Sequence, residues 1–489
     1  MNNSPLWLGL AALTALRLLV AAVAPMAPDE AYYWVWSHAL APGYLDHPPM
    51  VALFIRAGTL LAGEGNLGVR LLAPLSAAIG SLLLVQTGRD LFPGTKAGLW
   101  AASLLNATLI FAAGATTMTP DTPLLLFWSA TLCALARLRA TGQGRWWLAA
   151  GIAAGLALDS KYTAALLAPA LLAWLLWSPE MRRWWRSPMP YLAAVLAGAV
   201  FAPVLLWNAA HGWVSFSKQG GRVGDFSPGK ALQFLGELIA GQFGLATPIV
   251  AVIAAAGLVV AIRRARNGDA SWTLLASTLL IPCAIFVQHA LGDRVQANWP
   301  AILFPSAALA AAAGLSARWR RWFAPATCLG LALTAFVWIQ ATIAPLALPM
   351  LWDPTLLRLG GWQHLADQID AEATRQGAAF IVDDNYGQAA LLARLLPSGR
   401  VVIGLDGRWS LFNLPAPDAA HFAGQTGLLV RTARRADTPE WPNWTDIVRL
   451  GMLSRARNGM VAEEFRLYRV TTTGQPAALA LMPRPKDEK

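Results

Sequence analysis

The sequence predicts a polytopic α-helical membrane protein with a small α/β domain at its C-terminus. Hydrophobic residues make up 56% of the 489 residues and charged residues only 13%, about half the charged fraction of soluble globular chains. Apolar runs long enough to cross a bilayer recur as far as residue 345, after which the composition becomes that of a soluble domain. These observations exclude a cytosolic globular enzyme, a disordered protein and a disulfide-stabilised scaffold.

The apolar runs predict about eleven transmembrane helices, because a bilayer core of about 30 Å requires roughly 20 helical residues. Two long loops on the outer side, 26–67 and 209–245, are rich enough in aromatic and apolar residues to form short helices in the membrane interface. The predicted spans are 5–25, 68–88, 97–115, 121–138, 146–160, 162–178, 190–208, 246–262, 271–289, 299–316 and 323–345.

The basic residues predict how the chain is oriented in the membrane. Residues 1–345 contain 22 Lys and Arg against 12 Asp and Glu, whereas residues 346–489 contain 16 against 15. Alternate loops hold fourteen of the 22 basic residues, and the opposite loops hold seven. Because basic loops face the cytoplasm, we expect a cytoplasmic N-terminus and an external C-terminal domain. The net charge of +11 is therefore a topology signal, and nucleic acid is not expected as a partner.

The chain is expected to divide into a transmembrane domain of residues 1–345 and an external domain of residues 346–489. In the second part, helical and strand patterns follow one another, which is typical of a small α/β domain. The predicted elements are helices at 361–375 and 386–396 and strands at 378–383, 401–405, 427–431 and 465–470.

Acidic residues are scarce in the membrane part, so those on its predicted outer face carry information. Asp29 and Glu30 directly follow the first span, Asp46 lies in the same loop, and Asp121 opens another span. Carboxylates on one membrane face suggest a general base with partners that orient it or bind a cation. Helix capping is the alternative for Asp29 and Asp121, since each follows a proline at the expected start of a helix.

Basic residues on the same face complete the pattern. Lys161 lies at a tight outer turn, and Arg222 follows an aromatic loop that contains His211. A lipid phosphate would explain a lysine on this side, and snorkelling to the interface is the alternative. Carboxylates and cations together fit group transfer from a lipid phosphate, in which a carboxylate deprotonates the acceptor hydroxyl. His47 and His211 with Asp46 are weak evidence for a metal, so no metal ligands are assigned and a divalent cation stays open as a cofactor.

Several short motifs, in this order and on this side of the membrane, resemble those of a known family. They resemble the GT-C glycosyltransferases of the dolichyl-phosphate-mannose protein mannosyltransferase and lipid A aminoarabinose transferase type. The resemblance covers about residues 5–345, and residues 378–396 resemble the start of the external domain in bacterial members. The motifs are Asp29-Glu30, Asp46-His47-Pro48-Pro49, Asp121, Ser160-Lys161-Tyr162, His211-x-Trp213-x-Ser215-Phe216 and Asn298-Trp299-Pro300.

The resemblance implies a bacterial inner-membrane enzyme that moves a sugar, with inversion, from a polyprenyl-phosphate carrier to an acceptor on the periplasmic face. By motif position, Asp29 matches the catalytic base and Glu30 its partner. The resemblance also implies a set of substrate-binding residues, of which Asp46, His47 and Lys161 lie beside the carrier phosphate. The full set is Asp46, His47, Asp121, Lys161, His211, Arg222, Tyr32 and Tyr33.

One departure from the family leaves the donor sugar open. Aminoarabinose transferases have Glu-Lys where this chain has Asp46-His47, and histidine carries less positive charge than lysine at pH 7. The absence of a β-trefoil insert favours lipid A or another envelope glycolipid over a protein as acceptor. The alternatives are a protein O-glycosyltransferase of the same type and a transporter or flippase for a lipid-linked sugar. A transporter predicts internal repeats, which the sequence lacks.

Overall fold

The computed structural model describes residues 4–220, 226–435, 439, 444–473 and 479–485. Helices dominate the chain up to residue 342. They are α1 (Ser4–Val23), α2 (Pro28–His38), α3 (Met50–Ala62), α4 (Asn66–Arg70), α5 (Leu72–Leu91), α6 (Ala97–Asn106), α7 (Leu109–Gly114), α8 (Asp121–Thr141), α9 (Arg145–Leu158), α10 (Leu167–Trp177), α11 (Met189–Ala210), α12 (Val214–Gly220), α13 (Pro228–Leu245), α14 (Pro248–Ala265), α15 (Ala270–Ala290), α16 (Phe304–Gly314), α17 (Ala317–Arg320) and α18 (Phe323–Thr342). Short 3₁₀ helices cover Tyr162–Leu166, Met181–Arg186, Trp299–Leu303 and Gly407–Leu411.

All eleven predicted spans coincide with helical segments. The span predicted at 97–115 is broken, because α6 ends at Asn106 and the side chain of Thr108 caps α7 by accepting a hydrogen bond from the Phe111 amide. Among the described residues, six helices are long and apolar enough to cross a bilayer, or seven if α1 and α2, bent by 87°, form one span. The chain is thus a multi-pass helical membrane protein, and the count of eleven stays a prediction.

Small residues let the membrane helices approach one another closely. On α9, a Cβ atom at Gly151 would lie 2.3 Å from the carbonyl oxygen of Ala193 on α11. Only glycine fits this helix crossing, as is common where helices pack inside a membrane.

The C-terminal domain is built on a mixed six-stranded sheet. Its strands are β1 (Phe380–Asp383), β2 (Val401–Leu405), β3 (Thr426–Thr432), β4 (Trp444–Arg457), β5 (Met460–Thr472) and β6 (Leu479–Leu481), in the order β4-β5-β3-β1-β2-β6. β1 pairs in parallel with β2 and β3, and the other pairs are antiparallel. The helices of this part are α19 (Pro354–Arg358), α20 (Trp362–Arg375), α21 (Tyr386–Leu395) and α22 (Ala419–Phe422).

The predicted C-terminal elements are confirmed except at the end of the chain. Both predicted helices and the first three strands lie within two residues of α20, α21, β1, β2 and β3. The strand predicted at 465–470 is part of the longer β5, and β4 and β6 were not predicted. Most of β4 is partly exposed, so it lacks the buried apolar run from which the other strands were predicted.

The chain forms two compact units, each made of separate stretches of sequence. One comprises Met1–Arg17, Pro42–Val51 and Ala73–Ala335, and the other comprises Leu18–Ala41, Ala52–Leu72 and Phe336–Lys489. We call them the bundle unit and the C-terminal unit. The C-terminal unit therefore includes α2 as well as the sheet, while the division at residues 345 and 346 stays a prediction from composition.

Candidate active site

Glu30 is held in the C-terminal unit by a buried ion pair with Arg70, the last residue of α4. The guanidinium donates from Nε to Oε1 at 2.7 Å and from Nη2 to Oε2 at 2.6 Å, and neither side chain is more than 1% exposed. Arg70 also donates to the carbonyl oxygens of Ala21, Ala24 and Pro25. One side chain thereby satisfies carbonyls at the end of α1 and fixes the start of α2.

Asp29 and Glu30 are neighbours in sequence but differ in their surroundings. Pro28 begins α2, and the Ala27 amide donates to Glu30 Oε2 at 3.2 Å, which closes the first turn. Glu30 points into the protein, whereas Asp29 is exposed. Of the two acids, Asp29 is therefore the more accessible.

Tyr32 and Tyr33 are buried on the same helix. The Tyr32 ring lies 4.5 Å from the ring of Tyr386 on α21, centroid to centroid, and Arg408 lies over both the Tyr32 and the Tyr386 rings. Tyr33 packs edge-on against Trp36. Both tyrosines thus belong to an aromatic cluster, and their substrate contacts stay a prediction.

In the bundle unit, Asp121 and Lys161 form an ion pair that Asn298 extends. Lys161 Nζ lies 2.7 Å from Asp121 Oδ1, and Asn298 Nδ2 donates to Asp121 Oδ2 at 2.6 Å. Lys161 is only 5% exposed. The side chain of Asp121 points to Lys161 and no side-chain capping bond forms at the start of α8, so the ion pair accounts for this aspartate better than capping does.

A second ion pair lies in the loop that precedes α3. Lys218 on α12 donates to Asp46 Oδ1 at 2.5 Å, and Gln219 donates to the carbonyl oxygen of Asp46. The amide of Met50, which directly follows the Asp-His-Pro-Pro motif, donates to the carbonyl oxygen of Asp159 at 3.0 Å. This bond joins the loop, which includes half-buried His47, to the turn that carries Lys161.

His211 packs against its own helix. Its ring stacks on Trp207 with centroids 4.1 Å apart, and Nδ1 lies 2.7 Å from the Trp207 carbonyl oxygen. Two residues after Trp213, Ser215 donates to the carbonyl oxygen of Tyr44 at 2.7 Å. Arg222 lies outside the described residues. Among those described, no three His, Cys, Asp or Glu side chains form a group that could hold a metal ion.

Sequence reasoning missed four partners in these clusters. Arg70 and Lys218 were counted only as topology signals, Gln219 gave no signal, and Asn298 was quoted only as part of a motif. Each of these residues meets its acidic partner only in the folded chain, because the two are far apart in sequence. The predicted site residues fall in both units: Asp29, Glu30, Tyr32 and Tyr33 in the C-terminal unit, and Asp46, His47, Asp121, Lys161 and His211 in the bundle unit.

Comparison with known proteins decides between the predicted classes. Residues 46–207 match the family model described as dolichyl-phosphate-mannose-protein mannosyltransferase. The lipid A galacturonosyltransferase RgtD of Rhizobium johnstonii is 28% identical over 368 residues, which cover 74% of this chain and 76% of that protein. The crystal structure of ArnT from Cupriavidus metallidurans bound to undecaprenyl phosphate superposes with a TM-score of 0.66, at 15% identity, over 96% of this chain and 98% of that one. The chain has a GT-C fold and is a glycosyltransferase.

A further relative agrees with this class. The undecaprenyl phosphate-alpha-4-amino-4-deoxy-L-arabinose arabinosyl transferase of Edwardsiella ictaluri is 26% identical over 206 residues, which cover 38% of this chain and 36% of that protein. The resemblance seen in the sequence motifs is confirmed. The chain is therefore an enzyme that transfers a sugar, rather than a transporter of lipid-linked sugars.

Proposed function

We propose that this GT-C glycosyltransferase moves a sugar from a polyprenyl-phosphate carrier to lipid A or a closely related envelope glycolipid, at the periplasmic face of the bacterial inner membrane. Two comparisons support the proposal: a lipid A glycosyltransferase that matches along three quarters of both chains, and a fold neighbour bound to undecaprenyl phosphate. The predicted topology, with a cytoplasmic N-terminus and a periplasmic C-terminal domain, is consistent with it.

The observation that carries the proposal is the buried ammonium of Lys161. Asp121 takes one of its three N–H donors, and in the described part of the chain no other partner is bonded to Nζ. A phosphate oxygen at the remaining donors would receive charge-assisted hydrogen bonds, which are strongest where water is excluded. Asp121 and Asn298 hold the side chain in place, so Lys161 is assigned to the carrier phosphate.

The proposed reaction is a single displacement. The acceptor hydroxyl oxygen attacks the anomeric carbon while the bond from that carbon to the phosphate oxygen breaks. The carrier phosphate leaves with the electron pair, and Asp29 takes the hydroxyl proton. One displacement inverts the anomeric configuration, and no enzyme nucleophile is required. Lys161, with Lys218 as a second cation, stabilises the charge that grows on the departing phosphate.

Mass spectrometry of lipid A tests the proposal. We expect cells that lack the protein to lose a sugar modification, wild-type protein to restore it, and Asp29→Asn protein not to restore it. Asp367→Asn, which changes an exposed aspartate on α20, is the matched control and should restore the modification fully.

A second assay compares the same protein variants, purified and placed in liposomes with radiolabelled polyprenyl-phosphate sugar. This assay identifies the acceptor. Label in added lipid A supports the proposal. Label in a protein fraction would establish the protein O-glycosyltransferase instead, and label that stays on the carrier with every acceptor would overturn both.

A further inference from the structure

The helix that carries Asp29 packs against the C-terminal domain. Within the C-terminal unit, α2 lies along α21, the helix that follows β1. The first turns of the two helices touch at Gly387, where an added Cβ atom would lie 3.0 Å from Cβ of Pro28. Since Asp29 directly follows Pro28, the position of α21 bears directly on the position of the proposed base.

Arg408 holds the two helices together from one side. It follows β2, and its guanidinium carbon lies 3.5 Å from the ring centroid of Tyr386 and 5.4 Å from that of Tyr32. Its Nη1 is 3.4 Å from the Tyr32 hydroxyl. The planar guanidinium is stabilised by its contact with the two aromatic faces even where it is not fully solvated. A lysine ammonium cannot stack on the rings in this geometry.

Arg394, on the last turn of α21, provides a second attachment farther along α2. Its guanidinium carbon lies 4.5 Å from the Trp34 ring centroid, and Nη2 donates to the carbonyl oxygen of Glu64 at 2.7 Å. Glu64 in turn accepts a hydrogen bond from Trp34 Nε1 at 2.8 Å. The hydrogen bond from His38 lowers the pKa of Glu64 to about 2, so this carboxylate is ionised at neutral pH and accepts the Trp34 hydrogen bond in its charged form.

We infer that α21 and two arginines, Arg394 on α21 and Arg408 after β2, position Asp29 for proton transfer, so that the C-terminal domain sets the turnover rate of the enzyme. The inference rests on the proposed function, because it assumes that Asp29 is the base. Arg394 and Arg408 are positioning residues, and neither is assigned to substrate. Neither is one of the cations assigned to the carrier phosphate, Lys161 and Lys218.

The physical reason is that α2 is too short to hold a precise position alone. It has 11 residues, and helices of this length are marginal without tertiary contacts. Glu30 and Arg70 fix its start, and α21, Arg394 and Arg408 provide the packing along its length. A misplacement of about 1 Å at a reacting group is enough to cost about a hundredfold in rate.

The test separates turnover from donor binding. We expect Arg408→Ala and Arg394→Ala to lower kcat about 10- to 100-fold while KM for the polyprenyl-phosphate sugar stays within about threefold of wild type. Arg408→Lys should recover part of kcat, since the charge returns without the planar stacking. Arg400→Ala is the matched control, because Arg400 pairs with Asp370 and Thr374 in the same domain.

A glycine substitution changes the contact between the two helices without removing a charge. It therefore keeps the inference testable if the arginine variants fail to fold. Gly387→Ala would press on Pro28 and should also lower kcat, whereas Gly399→Ala, which has open space around it, should not. Unchanged kcat in Arg408→Ala, Arg394→Ala and Gly387→Ala would overturn the inference, as would a rise in donor KM at constant kcat. If Asp29→Asn itself stays active, the proposed function fails instead, so the two failures are distinguishable.

Discussion

Glu30 and Arg70 form a two-point ion pair in which both side chains are buried and the two hydrogen bonds measure 2.7 and 2.6 Å. The pair joins the start of α2 to the end of α4, and the same guanidinium binds the carbonyl oxygens at the end of α1. Such a pair is expensive to break, because the surviving charge stays buried without its partner. We therefore expect the pair to determine the stability of the fold, and to affect the candidate active site only through that stability.

We expect Glu30→Gln to lower the free energy of unfolding by about 3 kcal/mol, within the range measured when one partner of a buried pair is removed. Thermal or urea unfolding of detergent-solubilised protein measures the change. Glu237→Gln is the control, since Glu237 pairs with Arg294 at the surface, where an ion pair contributes little. Equal stability of the two variants would contradict the structural role given to Glu30.

Asp29→Asn should abolish transfer without affecting folding. Removing a general base lowers the rate by about 10²–10⁴-fold, and the exposed Asp29 side chain leaves room for a neutral amide of the same size. Single-turnover transfer from labelled carrier measures the rate, and the thermal midpoint checks the fold. A variant that retains wild-type turnover would show that another group accepts the proton.

Lys161→Ala should weaken donor binding more than it affects acceptor binding. The loss of charge-assisted hydrogen bonds to a phosphate is expected to raise KM for the carrier-linked sugar about 10-fold or more, and kcat should fall as well, because the leaving phosphate loses its cation. Lys230→Ala, at an exposed position on α13, controls for the lost charge. If only the acceptor KM rises, Lys161 binds the other substrate.

Asp383→Asn should make the protein more stable at alkaline pH. Burial, with a smaller contribution from Asp384, raises the pKa of Asp383 well above its ordinary value. A raised carboxyl pKa means that the folded state holds the proton longer than the unfolded state, so stability falls as pH rises above about 4 towards the folded pKa. The neutral amide escapes this loss, and the Asn385 amide can still donate to it. Thermal midpoints should diverge as pH rises from 5 to 8, and parallel curves would contradict the assignment.

Much of the fold was accessible from the sequence because the bilayer imposes a length on each helix. All eleven apolar runs coincide with helical segments, and the strands β1, β2 and β3 were found because their side chains are largely buried. The β4–β5 hairpin was missed although its turn, Asn458-Gly459, is a strong hairpin signal. Both residues have positive φ there, 51° and 76°, as a two-residue turn of this kind requires.

The site was predictable only in part, for a physical reason. Scarce acids on one predicted face of the membrane stood out, so Asp29, Asp46 and Asp121 were singled out, and Lys161 was singled out as a cation on the same face. Their partners did not stand out, because arginine and lysine near a span serve equally as topology signals. The pairings of Arg70 with Glu30 and of Lys218 with Asp46 join residues 40 and 172 positions apart, and no local pattern encodes such a separation.

The discontinuous C-terminal unit also sets a rule for recombining this enzyme with its relatives. A chimera joined at residue 345 would combine one protein's α2 with another protein's α21, and would mismatch the surfaces at which those helices meet. Grafting Leu18–Ala41, Ala52–Leu72 and Phe336–Lys489 together would keep those surfaces matched. Exchange of acceptor or donor preference between homologues is therefore best attempted with three inserts rather than one. The contacts at stake are Pro28 with Gly387, Tyr32 with Arg408 and Trp34 with Arg394.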